Sequence, residues 1–203
     1  MKARSLMIFM VSLTIFIGIA TCQAQAQNRQ FCKRGTLVNP ARERQQTRNQ
    51  EFGFVFDIPA NYSSETNRSG DRTYILLYNP NEQELNTCCK KNRQIGCDGY
   101  PSLVMVTIEP ALSDTRLLPE LNAVVLRLEN IKPTTIANQK ALVYVVKSSL
   151  TGGKDIETSL TASFLTPNRK HKITVSGSAY GENLNPIDER VFQRVISSFA
   201  FVK

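Results

Sequence analysis

The chain has 203 residues, of which 41% are hydrophobic, so it can bury one substantial core but leaves little room for two full domains. Its formal charge of +8 is spread unevenly: residues 1–26 carry +2 and residues 27–50 carry +5, which leaves +1 for residues 51–203. A folded region this close to neutral excludes a nucleic-acid-binding face, so we expect no nucleic acid among the partners.

Residues 1–26 have the three regions of an export signal. Lys2 and Arg4 make a basic start, residues 6–20 form an apolar run of 15, and residues 24–26 read Ala-Gln-Ala, which suits cleavage. Fifteen apolar residues are too few to span roughly 30 Å of hydrocarbon as a helix. We therefore expect cleavage before Gln27 and export to a periplasm, a thylakoid lumen or the extracellular space.

A second interpretation of the same segment centres on Cys22. Residues 19–22, Ile-Ala-Thr-Cys, resemble the processing box of bacterial lipoproteins, in which the cysteine is lipidated. Such boxes usually carry Gly, Ala or Ser where this chain has Thr21. An acylated Cys22 at the mature N-terminus would establish the lipoprotein, whereas a free Gln27 would exclude it.

Residues 27–50 are rich in Gln, Arg and Asn and show little apolar periodicity. This composition predicts a basic, flexible linker. Its positive charges also allow peripheral contact with a membrane surface, because basic segments are attracted to anionic lipid. We place a single folded domain at residues 51–203.

Alternation of apolar and polar residues predicts a series of strands in that domain. The first is the clearest, because Phe52, Phe54, Phe56 and Ile58 share one face and Pro59 ends the ladder. The others span residues 73–78, 102–109, 131–137, 140–148, 155–165 and 171–180. Short links rich in Gly, Asn and Pro predict antiparallel neighbours, while residues 60–72 and 81–101 are polar and predict loops.

Two stretches change to helical spacing. Asn185 is a good N-cap before Pro186, and an apolar stripe continues to Phe199, followed by a short exit strand. Residues 117–128 carry apolar residues at offsets 0, 1, 4, 7, 8 and 11, which predicts a second helix. The sequence therefore predicts an α+β fold, in which two helices pack on a curved antiparallel sheet of about six to seven strands.

Four short motifs resemble the PsbP-like family. They are Phe52-Gly-Phe-Val-Phe-Asp-Ile-Pro59, Ile136-Ala-Asn-Gln-Lys-Ala141, Ile173-Thr-Val-Ser-Gly177 and Ser197-Ser-Phe-Ala-Phe201. The family includes the extrinsic photosystem II subunit, related bacterial envelope proteins and a Ran-binding import factor, and the resemblance covers roughly residues 51–203. It implies the α+β fold and a non-catalytic accessory protein. The cysteine-bearing loop departs from the family pattern.

Cys32, Cys88, Cys89 and Cys97 remain after removal or lipidation of Cys22. An even number of cysteines in an exported chain predicts two disulfides. Adjacent cysteines rarely pair with each other, so we expect Cys97 to pair with Cys88 or Cys89, and Cys32 with the other. A four-cysteine zinc site is the alternative, but the usual C-x2-C spacing is absent, and we expect no metal.

The chain offers little material for catalysis. His171 is the only histidine and lies between Lys170 and Lys172 after a turn, as surface residues do. Ser178 directly follows Gly177, so the G-x-S-x-G pattern of a nucleophile elbow is absent. We expect no enzyme and no cofactor.

The function we predict is that of an exported domain that binds a protein partner, or helps assemble a membrane complex, at a membrane surface. The alternative is an envelope protein, or lipoprotein, of the same fold that holds a small molecule or metal between sheet and helix.

Overall fold

A computed structural model of the chain describes residues 32–92, 103–122, 124–149, 156–181, 183 and 185–202. Ten strands and two helices lie in these ranges. The strands are β1 (Arg44–Asn49), β2 (Phe54–Pro59), β3 (Ser63–Ser69), β4 (Arg72–Tyr78), β5 (Leu103–Pro110), β6 (Val125–Ile136), β7 (Gln139–Ser149), β8 (Ile156–Leu165), β9 (His171–Tyr180) and β10 (Ala200–Phe201). The helices are α1 (Pro80–Asn92) and α2 (Pro186–Ser198).

Seven strands form one large antiparallel sheet in the order β3-β4-β5-β9-β8-β7-β6. The three remaining strands form a small antiparallel sheet in the order β1-β2-β10. The α+β class, the antiparallel pairing and the size of the main sheet are as the sequence predicts.

Helix α2 connects the two sheets. The Asn185 Oδ1 atom accepts a bond of 2.9 Å from the backbone N–H of Ile187, and Pro186 takes the first helical position, as predicted. Val191, Phe192 and Val195 are fully buried against β2 and the large sheet. The helix therefore forms where the N-cap residue and the apolar stripe both indicate a helix.

Phe199, just after α2, completes the core between the two sheets. Its ring centroid lies 4.9 Å from that of Phe54, 5.7 Å from Phe56 and 5.1 Å from Phe164. Phe54 and Phe56 come from β2, and Phe164 comes from β8. One side chain thus contacts both sheets, and it explains why the chain end folds back onto the domain.

The predicted helix at residues 117–128 is wrong. Residues 111–122 and 124 are irregular, and β6 starts at Val125. The Leu117 carbonyl accepts a bond from the Tyr144 hydroxyl, and the Val124 carbonyl accepts one from the Ser149 N–H. These carbonyls are therefore satisfied by the large sheet instead of by a helix.

The second helix lies instead at residues 80–92, where the sequence predicts a polar loop. Pro80 takes its first position, and its buried stripe consists of Glu82, Leu85 and Cys89. Because that stripe contains a carboxylate and a cysteine, it lacks the apolar periodicity from which a helix is predicted. Residues 93–101 of the predicted loop lie outside the described residues.

Two further strands lie where the sequence predicts linker or loop. Strand β1, within the predicted linker, pairs with β2, and β3, within residues 60–72, pairs with β4. Both strands sit at sheet edges with largely solvated side chains, so they need no apolar alternation. Residues 44–49 thus belong to the folded sheet and correct the linker prediction there.

Candidate interaction surface

Residues 111–122 and 124, which we call the crossover segment, connect β5 to β6 across the large sheet. At one end the Ala111 N–H donates to the Lys170 carbonyl at 2.8 Å, and at the other the Ser149 N–H donates to the Val124 carbonyl at 2.8 Å. The strand order β5-β9-β8-β7-β6 makes the segment pass over three strands. It covers the face opposite α2, because Tyr144 alternates with the core-facing Val143.

A chain of buried hydroxyl groups fixes the segment to that face. The Tyr144 hydroxyl donates to the Leu117 carbonyl at 3.2 Å and lies 2.9 Å from the Ser163 hydroxyl, which in turn lies 3.3 Å from that of Thr174. Burial raises the pKa of Tyr144, and the Ser163 hydrogen bond opposes this in part. Tyr144 therefore stays neutral and anchors the segment.

The outer side of the crossover segment and strand β6 carry most of the exposed apolar side chains. Six large apolar residues are exposed in the part of the chain that the structure describes, and five of them lie here, at 46–74% exposure. We call these five residues the crossover surface: Leu112, Leu121, Val124, Leu126 and Ile131. The last four follow one another at residues 121–131, where the crossover segment leads into β6, whereas Leu112 lies at the opposite end of the segment, next to Ala111, which bonds Lys170.

A hydrogen-bonded turn at Asn122 lies in the middle of this surface. The Asn122 N–H donates to the Val125 carbonyl at 3.1 Å, and the Asn122 side-chain oxygen accepts from the N–H groups of Val124 and Val125, both at 2.8 Å. Leu121 and Leu126 flank the turn.

Charges around the crossover surface are balanced. The cations and anions nearby in sequence are Arg116, Arg127 and Lys132, and Asp114, Glu120 and Glu129. Arg127 and Glu129 pair with each other at 2.6 Å. An anionic membrane would gain little electrostatic attraction here, so the surface suits an apolar protein contact better.

Strand β6 forms an edge of the large sheet, yet it is a poor template for an added strand. Its register with β7 shifts between Val125 and Arg127 and again between Glu129 and Lys132. Pro133 also removes one N–H group from the edge. A partner would therefore contact side chains more than backbone.

Two adjoining grooves lie between the β6–β7 hairpin and the end of α2. They have volumes of about 380 Å³ and about 520 Å³ and share Thr135 in their walls. Among their lining residues only Lys132 is ionisable. This lining lacks the paired acid and base that hydrolytic chemistry needs.

The segment of residues 32–43, which we call the strap, crosses both helices. The Arg34 guanidinium contacts the Glu82 carboxylate at 2.9 Å, and the Asn79 amide bonds both backbone groups of Val38, at 3.1 and 2.7 Å. Arg194 of α2 donates to the Ala41 carbonyl at 2.7 Å. These side-chain contacts place residues 32–43 against the folded domain.

The buried carboxylate of Glu82, which contacts Arg34 of the strap, should make the stability of the protein depend on pH. Its side chain is only 3% exposed, and burial raises its pKa, while Arg34 lowers it. Because the folded state disfavours the ionised form, the stability of the wild-type protein should fall as pH rises from about 4 through the raised pKa. The variant Glu82→Gln should lack this loss, and its unfolding free energy should therefore increase relative to wild type over that range.

Urea unfolding of both proteins at a series of pH values measures this difference, with Glu84→Gln on the exposed side of α1 as control. A constant difference between Glu82→Gln and wild type across the range would contradict the buried-carboxylate account.

The predicted disulfides fall partly within the described residues. Cys32 and Cys88 are bonded, with their Cα atoms 5.8 Å apart, so the prediction that Cys32 pairs with one of the two adjacent cysteines is confirmed. Cys89 is also disulfide-bonded. Cys97, the partner that the sequence predicts for it, and the lipidation candidate Cys22 lie outside the described residues.

The other residues weighed for chemistry form no reactive group. His171 is half-buried at the start of β9, where the centroid of its ring lies 4.9 Å from that of Phe52 in a T-shaped arrangement. Within the described ranges, no group of three or more His, Cys, Asp or Glu could hold a metal ion. In the same ranges, no helix is long and apolar enough to cross a membrane.

No protein-family model matches the chain, and no curated protein matches its sequence. Among solved structures, the fold is similar to the solution structure of cyanobacterial PsbP (CyanoP) from Synechocystis sp. PCC 6803. The TM-score is 0.47 and the identity 16%, over 85% of this chain and 98% of that chain. This likeness concerns the fold alone.

Proposed function

We propose that this chain is an exported, non-catalytic accessory domain that binds a protein partner at a membrane surface through the crossover surface. The observation that carries the proposal is that four of the five residues of the crossover surface are exposed close together in sequence, between residues 121 and 131. The Cys32–Cys88 disulfide supports an oxidising compartment, because such bonds persist mainly outside the cytosol.

The partner suggested by this surface is a protein with an apolar patch of its own. Balanced charge around the crossover surface gives no attraction to anionic lipid, and the shifted register of β6 opposes strand addition. Basic residues of the strap, including Lys33 and Arg42, are exposed and offer a separate contact with lipid. Membrane proximity and partner binding thus use different parts of the domain.

The double variant Leu121→Ser/Val124→Ser should weaken partner binding by about thirtyfold. Losing burial of two apolar side chains at a contact costs on the order of 2 kcal/mol even when burial is partial. Both residues are exposed in the free protein, so its unfolding free energy should change by less than about 1 kcal/mol. Titration of the captured partner against each purified protein measures the dissociation constants.

Val38→Ser is the matched control, because Val38 is the one large exposed apolar residue outside the crossover surface in the described ranges. A protein retained by wild type and Val38→Ser but released by the double variant supports the proposal. Retention of the same proteins by all three would contradict it. A small-molecule function would instead appear as a ligand-dependent rise in melting temperature without any retained protein.

A further inference from the structure

The Cys32–Cys88 disulfide holds the first described residue of the strap to α1. Both cysteines are half-buried, whereas the neighbouring Cys89 is only 6% exposed. An attacking thiol therefore has better access to the Cys32 and Cys88 sulfurs than to the Cys89 sulfur.

Asn92 lies one helical turn after Cys88 and directs its amide at the bridge. Its Nδ2 atom lies 3.3 Å from the Cys88 sulfur, 3.4 Å from the Cys32 sulfur and 3.0 Å from the Cys88 carbonyl oxygen. A disulfide sulfur is a weak acceptor, but a thiolate is a strong one. The amide thus stabilises the charge that develops on the departing sulfur more than it stabilises the intact bridge.

The sequence around the bridge is mainly positive. Lys33 follows Cys32, and Lys90 and Lys91 follow the two adjacent cysteines, while Glu84 lies one turn before Cys88 on the same helix. Nearby cations favour the thiolate over the thiol and so lower the barrier to exchange.

We propose that Cys32–Cys88 is a site of thiol–disulfide exchange with a dithiol reductant, and that exchange in the folded protein releases the strap. A thiolate of the reductant attacks one sulfur, forms a mixed disulfide and expels the other cysteine as a thiolate bonded to Asn92. The second thiol of the reductant then attacks the mixed disulfide and releases the remaining cysteine. The bridge and a dithiol become two cysteine thiols and the oxidised reductant.

Release of the strap follows from how little apolar contact it makes. Its large apolar residues, Leu37 and Val38, are at best half-buried, and its remaining ties are polar contacts such as those of Asn79 and Arg34. Such bonds contribute little each to stability, because the same groups are hydrogen-bonded to water when the segment is open. Without the covalent tie, the end of the strap near Cys32 should open on a local scale while the core stays folded.

The test reduces the oxidised full chain with dithiothreitol under native conditions, quenches by alkylation and identifies the labelled cysteines by mass spectrometry. We expect Cys32 and Cys88 to be labelled before Cys89, at a rate that subdenaturing urea does not change. Amide hydrogen exchange should then increase at the start of the strap, while residues 191–195 stay protected. Labelling only at the rate of global unfolding would overturn the proposal.

The variants Asn92→Ala and Asn92→Asp test the amide itself. Loss of the amide donors should slow reduction of the Cys32–Cys88 bridge by about three- to tenfold. Asn92→Asp, which carries a carboxylate at this position, should be the slower of the two variants. A purely structural role for Asn92 predicts the opposite, because a loosened helix end would expose the bridge and speed reduction. Gln83→Ala, an exposed change on the same helix, is the control. Equal or faster reduction in both Asn92 variants would refute the role we assign to Asn92.

Discussion

Replacing Phe199 by alanine is expected to lower the free energy of unfolding by about 3–5 kcal/mol. The ring is 5% exposed and packs against Phe54, Phe56 and Phe164, so its removal leaves a cavity where the two sheets meet. The surrounding strands are fixed by their ladders and cannot close that space. Urea unfolding, with the slope and the midpoint both fitted, measures the loss.

Phe201→Ala provides the matched control for this prediction. Phe201 is only half-buried and lies at the border of the same cluster, 5.8 Å from Phe199 and 6.4 Å from Phe164. Its loss should cost about 1–2 kcal/mol, because solvent reaches part of the space it leaves. Equal losses in the two variants would show that Phe199 does not hold the sheets together.

The second large effect concerns the strap disulfide. The double variant Cys32→Ser/Cys88→Ser should lose about 2–4 kcal/mol of stability. The two cysteines are 56 residues apart, and closing a loop of that length in the unfolded chain corresponds to about 4 kcal/mol of entropy. The strap also gains conformational freedom in the folded variant, and this gain reduces the loss of stability. We therefore expect a loss at or below about 4 kcal/mol.

Thermal and urea unfolding of the double variant and the oxidised wild type give the difference directly. The double change leaves no new free thiol at either position, so disulfide shuffling does not confuse the comparison. Unchanged stability would mean that the polar contacts of Asn79 and Arg34 already order the strap without the bridge.

The predictable part of the fold is the part where local and global signals coincide. In α2, the Asn185 cap, Pro186 and the apolar stripe all indicate one helix, and the structure has it. In β2, alternating phenylalanines mark a strand with one face in the core. These two elements are predictable from the sequence because each buries an apolar face with the expected period.

The two failures have different physical causes. The leucines at helical spacing in residues 117–128 are divided between the irregular crossover segment and β6. Pro119 and the Asn122 turn decide the backbone of the segment, and Leu121 faces solvent. Conversely, α1 buries Glu82, whose carboxylate is matched by Arg34 of a strap that is distant in sequence. The spacing of apolar residues does not reveal a pair of this kind, because neither partner is apolar.

The candidate site escaped prediction because the spacing of its leucines is typical of a helix. Of the predicted disulfides, the structure shows one cysteine pair bonded, Cys32–Cys88. The crossover surface could have been suspected from Pro119 and Asn122, since both argue against a helix and leave the neighbouring leucines without a core to face.

The most direct test of the proposed function places a photo-crosslinking amino acid at Leu121, or at Val38 as control, in the exported protein within its native compartment. We expect one discrete protein adduct from Leu121, none from Val38, and loss of the adduct when Val124→Ser and Leu126→Ser are added. No discrete adduct from Leu121, or the same adduct from both positions, would contradict it.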